Sequence, residues 1–323
     1  MRESAFLKKN TDKWQDFEQL LAIAQPDPDQ LADLFVQLTD DLSFARTQYP
    51  ESKTTAYLNH LAARVHQSIY RNRKEKKNRF VTFWKYELPH LFYSAHRQLL
   101  YSGVIFALAA LIGAVSAAHD DTFVRLILGD SYVNTTLANI EKGDPMAVYK
   151  STNQTDMFFT ITWNNIRVSF AAFAAGIFFS FGTGFLLFYN GIMLGAFQYF
   201  FFQKGLLVAS ALSIWIHGTL EISAIVIAGA AGLVMGNGFL FPGTYSRGAS
   251  FAMGARKGLK IVVGLVPIFI TAGFLESFVT RLTAWHWSAK LAIILVSASF
   301  IVYYFVIYPI QLNRKSPDAT QQD

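Results

Sequence analysis

The chain has 323 residues, 52% hydrophobic and only 15% charged, and its mean hydropathy is +0.28. A typical soluble domain carries about 25% charged residues, so an ordinary soluble enzyme is excluded and a polytopic membrane protein is indicated. Cysteine is absent, which removes disulfides, thiolate metal sites and a cysteine nucleophile. The net charge of +6 comes from cations that flank apolar segments, a positive-inside pattern rather than a nucleic-acid footprint.

Residues 1–78 read as a cytosolic helical domain. Helical spacing of Phe6, Leu7, Trp14, Phe17, Leu20 and Leu21 predicts a first helix over 4–24, broken by Pro26-Asp27-Pro28. A second is expected over 29–47, with Leu34, Phe35, Leu38 and Leu42 on one face, ended at Tyr49-Pro50. A third is expected over 54–70, with Leu58, Leu61 and Val65 turned inward. The run Arg71-Asn72-Arg73-Lys74-Glu75-Lys76-Lys77-Asn78-Arg79 has six cations against one acid, which suits an anionic cytoplasmic leaflet. Residues 79–100 are aromatic, mixed in polarity and interrupted by Pro89, as expected of a segment lying in the membrane interface.

The first apolar run long enough to insert begins near residue 99, so no cleavable signal peptide is expected. Residues 101–312 read as a transmembrane bundle. An exported loop over 119–158 carries six acids and three bases, and 313–323 form a cytosolic tail. Residues 158–205 are almost all apolar and too long for one crossing, so a break is required at Gly182-Thr183-Gly184 or Asn190-Gly191. The stretch 237–260 carries Arg247, Arg256, Lys257 and Lys260 without an acid and is expected as a cytoplasmic loop. Parity then gives about six crossings, at 101–118, 163–183, 186–203, 208–234, 259–279 and 289–310, with both termini cytoplasmic. The fold class is all-α.

The fourth of these segments organises the chain. It holds His217 and Glu221 one helical turn apart, on one face. A charge near the bilayer centre costs roughly 2.5–3.5 kcal/mol even on lenient scales. Small residues recur at four-residue spacing after the pair, including Ala228 and Gly232, and earlier at Gly176 and Gly184; with Gly195 they form ridges for close helix packing.

Four motifs occur in order: Asn164-Asn165-x-Arg167-Val168, Asn190-Gly191-x-x-x-Gly195, His217-Gly218-x-x-Glu221, and Ala228-Gly229-Ala230-Ala231-Gly232. Together they resemble the stage II sporulation protein M family of integral membrane proteins over roughly 90–310. The N-terminal helices, with Tyr57-Leu58-Asn59, resemble its long form in bacteria that do not sporulate. Many members carry proline where this chain has Ile216 and Ser223, so a proline kink is not carried over. The resemblance implies a multi-helix bundle in a bacterial inner membrane. It also implies membership of a membrane complex, which for the namesake recruits peptidoglycan-degrading partners, and for the long forms a neighbourhood of AAA+ ATPases.

The polar pair admits three readings. The two side chains fix helix register through hydrogen bonds to each other, Asn165, Asn190 or Thr219. Alternatively they line a hydrated path that relays protons or binds a cation, with the Asn190-Gly191 break as a midplane element. As metal ligands they would need a third protein donor. Arg167 is expected to snorkel outward or to pair with Glu221 or Glu276, and Glu276 and Arg281 to meet water. The intramembrane polar site is therefore His217, Glu221, Asn190, Gly191, Asn165 and Arg167, with no metal, cofactor or catalytic residue. Expected partners are the lipid bilayer, further copies of the chain and proteins such as an AAA+ ATPase system, but no nucleic acid. The function expected is a non-enzymatic scaffold or complex subunit, with a channel or transporter as the alternative.

Overall fold

The computed structural model describes residues 2–22, 28–70, 79–147, 153–282 and 285–315. Pro26-Asp27, the basic run at 71–78 and the tail at 316–323 lie outside the described residues. No strand occurs among those described. The chain divides into two compact units, Met1–Lys76 and Lys77–Asp323.

The first unit is three helices, α1 (Glu3–Ala22), α2 (Pro28–Gln48) and α3 (Lys53–Tyr70). Their apolar stripes meet in a core of Phe6, Trp14, Phe17, Leu38, Leu42, Ala45, Leu58, Leu61 and Val65. Trp14 buries its ring there and still satisfies its indole, which donates to Asp41 Oδ2 at 2.8 Å.

The second unit begins with α4 (Arg79–Thr82), a π turn over Phe83–Glu87 and α5 (Leu88–Ser94), followed by α6 (His96–His119). The aromatic segment expected at the interface is half core: Leu88, Leu91 and Phe92 pack into the main apolar cluster, while His90 faces outward. Two short helices, α7 (Asp121–Leu128) and α8 (Asp130–Glu141), come next. They gather Val124 and Val133 against Ala196, Phe200 and Phe201. Asp120 caps α7, accepting from the Thr122 amide at 2.8 Å. The bonds from the Thr122 hydroxyl and amide hold its carboxyl below the usual carboxylate range.

The remaining helices are α9 (Gln154–Ala174), α10 (Phe181–Gln203), α11 (Leu207–Leu240), α12 (Arg247–Phe274), α13 (Trp287–Val302) and α14 (Tyr308–Lys315). π turns extend α12 over Leu275–Val279 and link α13 to α14 over Tyr303–Ile307. Among the described residues, five stretches are long and apolar enough to cross a membrane: α6, α10, α11, α12 with its π turn, and the α13–α14 stretch. α9 has 21 residues, about 31 Å of helix, but Asn164, Asn165 and Arg167 lower its hydropathy. It nonetheless runs the length of the bundle, from Met157 beside Arg281 at one end to Gly176 against Gly232 at the other.

α11 is the centre. Its apolar window is 72% buried, against 22% for α6 and 11% for the α13–α14 stretch. The small-residue ridges are used inside the chain. Gly232 approaches Thr183 and Ala172, Gly176 approaches the Gly232 backbone, and Gly191 and Gly195 seat α10 on Phe106, Ala109 and Ala110 of α6. With no hydrophobic drive between helices in lipid, such backbone proximity holds a bundle through dispersion contacts. Gly184 meets nothing within 4 Å.

Two boundaries differ from expectation. The break between α9 and α10 falls at 178–180, before the glycines at 182 and 184, and the helix is continuous through Asn190-Gly191. Phe179 and Ser180 take the left-handed turn, at φ 53° and 66°. Gly182 is spent on proximity instead, since a side chain there would press on the Ala175 carbonyl at 2.5 Å. The basic stretch around Arg247 is not a loop. α12 starts at Arg247, capped by Ser246 accepting from the Ala249 amide at 3.3 Å, so Arg256, Lys257 and Lys260 stand on helix.

Candidate functional site

The site forms where α9, α11 and the end of α12 meet. α11 supplies His217 and Glu221 from successive turns of one face. Along α12, Leu265, Phe269 and Ala272 are buried at alternating four- and three-residue spacing, and Glu276 continues that inward stripe. A regular helix ends there. The π turn over Leu275–Val279 inserts an extra residue, and its bond from the Thr280 amide to the Leu275 carbonyl is 2.8 Å. Such bulges recur at functional sites because they re-aim side chains within a helix. Here Glu276 and Thr280 both face His217.

Donor atoms of His217, Glu221 and Glu276 all lie within 4.8 Å of one another. His217 Nε2 stands 3.8 Å from Glu276 Oε1, and the two side chains are 5% and 13% exposed. On its other edge, His217 Nδ1 is 3.1 Å from Thr280 Oγ1. The Thr280 hydroxyl donates to the Leu275 carbonyl at 3.2 Å, so its oxygen accepts from His217 Nδ1–H. That fixes the neutral tautomer and leaves the Nε2 lone pair aimed among carboxylate oxygens. Three electron-rich donors converging in a low-dielectric interior call for a positive species between them.

The surrounding polar atoms point the same way. Asn165 is 4% exposed, and its side-chain amide supports the Glu221 carboxylate by a hydrogen bond. The hydroxyls of Thr162 and Ser169, on the same face of α9, and of Ser277, next to Glu276, have no hydrogen-bond partner among the described residues. Buried polar groups are ordinarily paired. These three hydroxyls mark a polar interior that protein bonds alone do not satisfy.

The structure brings together three of the residues expected from sequence: His217, Glu221 and Asn165. Arg167 is exposed on a different face of α9 from Asn165, away from both carboxylates. Asn190 folds back on its own helix, donating to the Leu186 carbonyl at 2.8 Å, and Gly191 is a packing residue. Thr219 likewise bonds to Trp215 of its own helix, at 2.6 Å. Glu276, expected to meet water, is instead a member of the cluster, as is Thr280. The signal for Glu276 was present in the Leu265-Phe269-Ala272-Glu276 spacing; the π turn that completes its aim has no sequence signature.

A family model described as Stage II sporulation protein M matches residues 102–281, which contain every residue of this cluster. A second, described as Domain of unknown function (DUF8413), matches residues 4–71, the three-helix unit. No curated protein and no solved structure matches. Since the first match covers more than half of the sequence and contains all four motifs, the chain belongs to the Stage II sporulation protein M family.

Proposed function

We propose that this membrane protein is not an enzyme and that it passes a cation through its bundle, with His217, Glu221 and Glu276 as the intramembrane binding step. The observation that carries the reading is the convergence of three ionisable donors within 4.8 Å on two helices. Burying carboxylates costs several kcal/mol per ion unless an opposite charge shares the site. Helix packing alone does not require it: α6 and α10 associate through Gly113, Gly191 and Gly195. In this reading the protein sits in a bacterial inner membrane with both termini cytoplasmic, a topology that the cations Arg247, Arg256, Lys257 and Lys260 at one end of the bundle support.

The test is flux into proteoliposomes under an imposed cation or proton gradient. Wild-type protein is expected to dissipate the gradient, and Glu221→Gln to abolish flux while its helical content and melting are retained. Absence of flux of protons, monovalent and divalent cations from folded wild-type protein would overturn the reading.

A second reading is favoured by the separate helical unit Met1–Lys76, which has a family match of its own. In it the chain is a scaffold or complex subunit, whose first unit engages other copies or cytosolic proteins such as an AAA+ ATPase system. Loss of partner association on deleting that unit, without loss of flux, would show the two roles to be separable.

A further inference from the structure

We infer that His217, Glu221 and Glu276 form a binding site for one divalent first-row transition-metal ion, such as Zn2+ or Mn2+. This deepens the cation-handling reading of the same cluster and rests on it. Three independent features select the ion class.

The first is geometry. Donors about 2.0–2.2 Å from a common ion, at the tetrahedral angle, stand about 3.3–3.6 Å apart. His217 Nε2 and Glu276 Oε1, at 3.8 Å, are a few tenths of an ångström beyond that span. The widest of the three separations is at most 4.8 Å, so side-chain movements of up to about 1.5 Å, without backbone change, close the set.

The second is charge. Once both carboxylates ionise beside a neutral imidazole the site carries two negative charges, which a divalent ion cancels and a monovalent ion halves. In a buried site the neutral sum is strongly preferred.

The third is ligand chemistry and its support. Imidazole nitrogen favours transition metals over Mg2+ and Ca2+, which take oxygen alone. A metal-binding histidine characteristically donates its other N–H to a fixed acceptor, which sets the tautomer and ring angle. His217 has that arrangement, with Nδ1–H on Thr280 Oγ1, itself anchored to the Leu275 carbonyl. Asn165, 4% exposed, hydrogen-bonds Glu221 and so orients that carboxylate, the support that metal-ligating carboxylates characteristically have.

The experiment uses full-length protein in detergent, stripped with chelator and desalted. Zn2+, Mn2+ and Mg2+ are then titrated by calorimetry, with bound metal counted by elemental analysis. One Zn2+ or Mn2+ per chain is expected, at least tenfold tighter than Mg2+. Glu276→Gln and His217→Ala should each weaken binding by tenfold or more. Glu87→Gln, an acid outside the cluster that pairs with Lys260, should bind as wild type. Because a cluster variant can misfold, the Co2+ form of wild-type protein gives a second readout: its visible d–d bands should report mixed nitrogen and oxygen ligands.

No stoichiometric transition metal on folded wild-type protein, or equal affinity for Mg2+, overturns the inference. So does full occupancy retained in Glu276→Gln. Flux without metal binding leaves the transport reading standing and sinks the metal site. Metal binding without flux does the reverse.

Discussion

At Asn165 function and folding share one bond. The side chain is 4% exposed and hydrogen-bonds Glu221. Leaving a buried partner unsatisfied costs about 1–3 kcal/mol. Asn165→Leu, close in volume, is therefore expected to lower stability by about that much and to weaken cation binding. Chemical unfolding in micelles, alongside flux, checks both halves. A variant as stable as wild type would mean that the amide does not support Glu221 and would remove one support for the site. His217, Glu221 and Asn165 were legible in the sequence because ionisable or amide groups inside apolar helices stand out there. Arg167 is exposed, in line with the outward role expected first, and it drops out of the polar set because spacing alone does not say which face of α9 is turned inward. Asn190 was misassigned since an Asn-Gly pair reads as a break, although here the asparagine bonds to its own helix and the glycine serves contact.

The elements obey a division of labour among their glycines. Gly232 of α11 sits against Thr183 of α10 and 2.7 Å, by a projected Cβ, from the Ala172 carbonyl of α9. A methyl there must push three helices apart, and overpacking of this kind costs about 1–3 kcal/mol. Gly184, one turn into α10, faces open space, and alanine there should gain about 0.5–1 kcal/mol from helix propensity. Gly232→Ala should therefore lower the melting midpoint in detergent while Gly184→Ala holds or raises it. A Gly232→Ala protein as stable as wild type would show that the α9–α10–α11 contact is not close-packed. The sequence marked both positions as members of packing ridges. It could not separate them, because the turn at Phe179 and Ser180 sets which residues of α10 face α11. That turn carries no glycine, so composition pointed several residues too late. The π turn after Phe274 is equally silent in sequence; Glu276 was assigned to water because it lies near the end of its crossing, although its spacing from Leu265, Phe269 and Ala272 already turned it inward.

For the whole molecule, the unresolved arithmetic of hydropathy has a structural answer in α9. Five stretches among the described residues qualify on length and apolarity, and an odd number would put the two ends of the chain on opposite sides. α9 falls short because its polar residues serve the interior: Thr162, Asn165 and Ser169 are buried on one face. A helix whose polar side is sheltered by α11 and α12 does not need the hydropathy of one surrounded by lipid. Its two ends also lie at opposite ends of the bundle. Met157 touches Arg281 at 3.7 Å, whereas the following turn places the Phe179 ring 5.0 Å from Phe239, where α11 ends. Counting α9 makes the number of crossings even, so Lys53 and Arg314 should share one side and Lys142 the other. The cysteine-free chain makes this directly measurable with Lys53→Cys, Lys142→Cys and Arg314→Cys and an impermeant maleimide on intact cells. Lys142→Cys should be labelled from outside, and the other two only after permeabilisation. If Arg314→Cys were labelled together with Lys142→Cys, α9 would not cross.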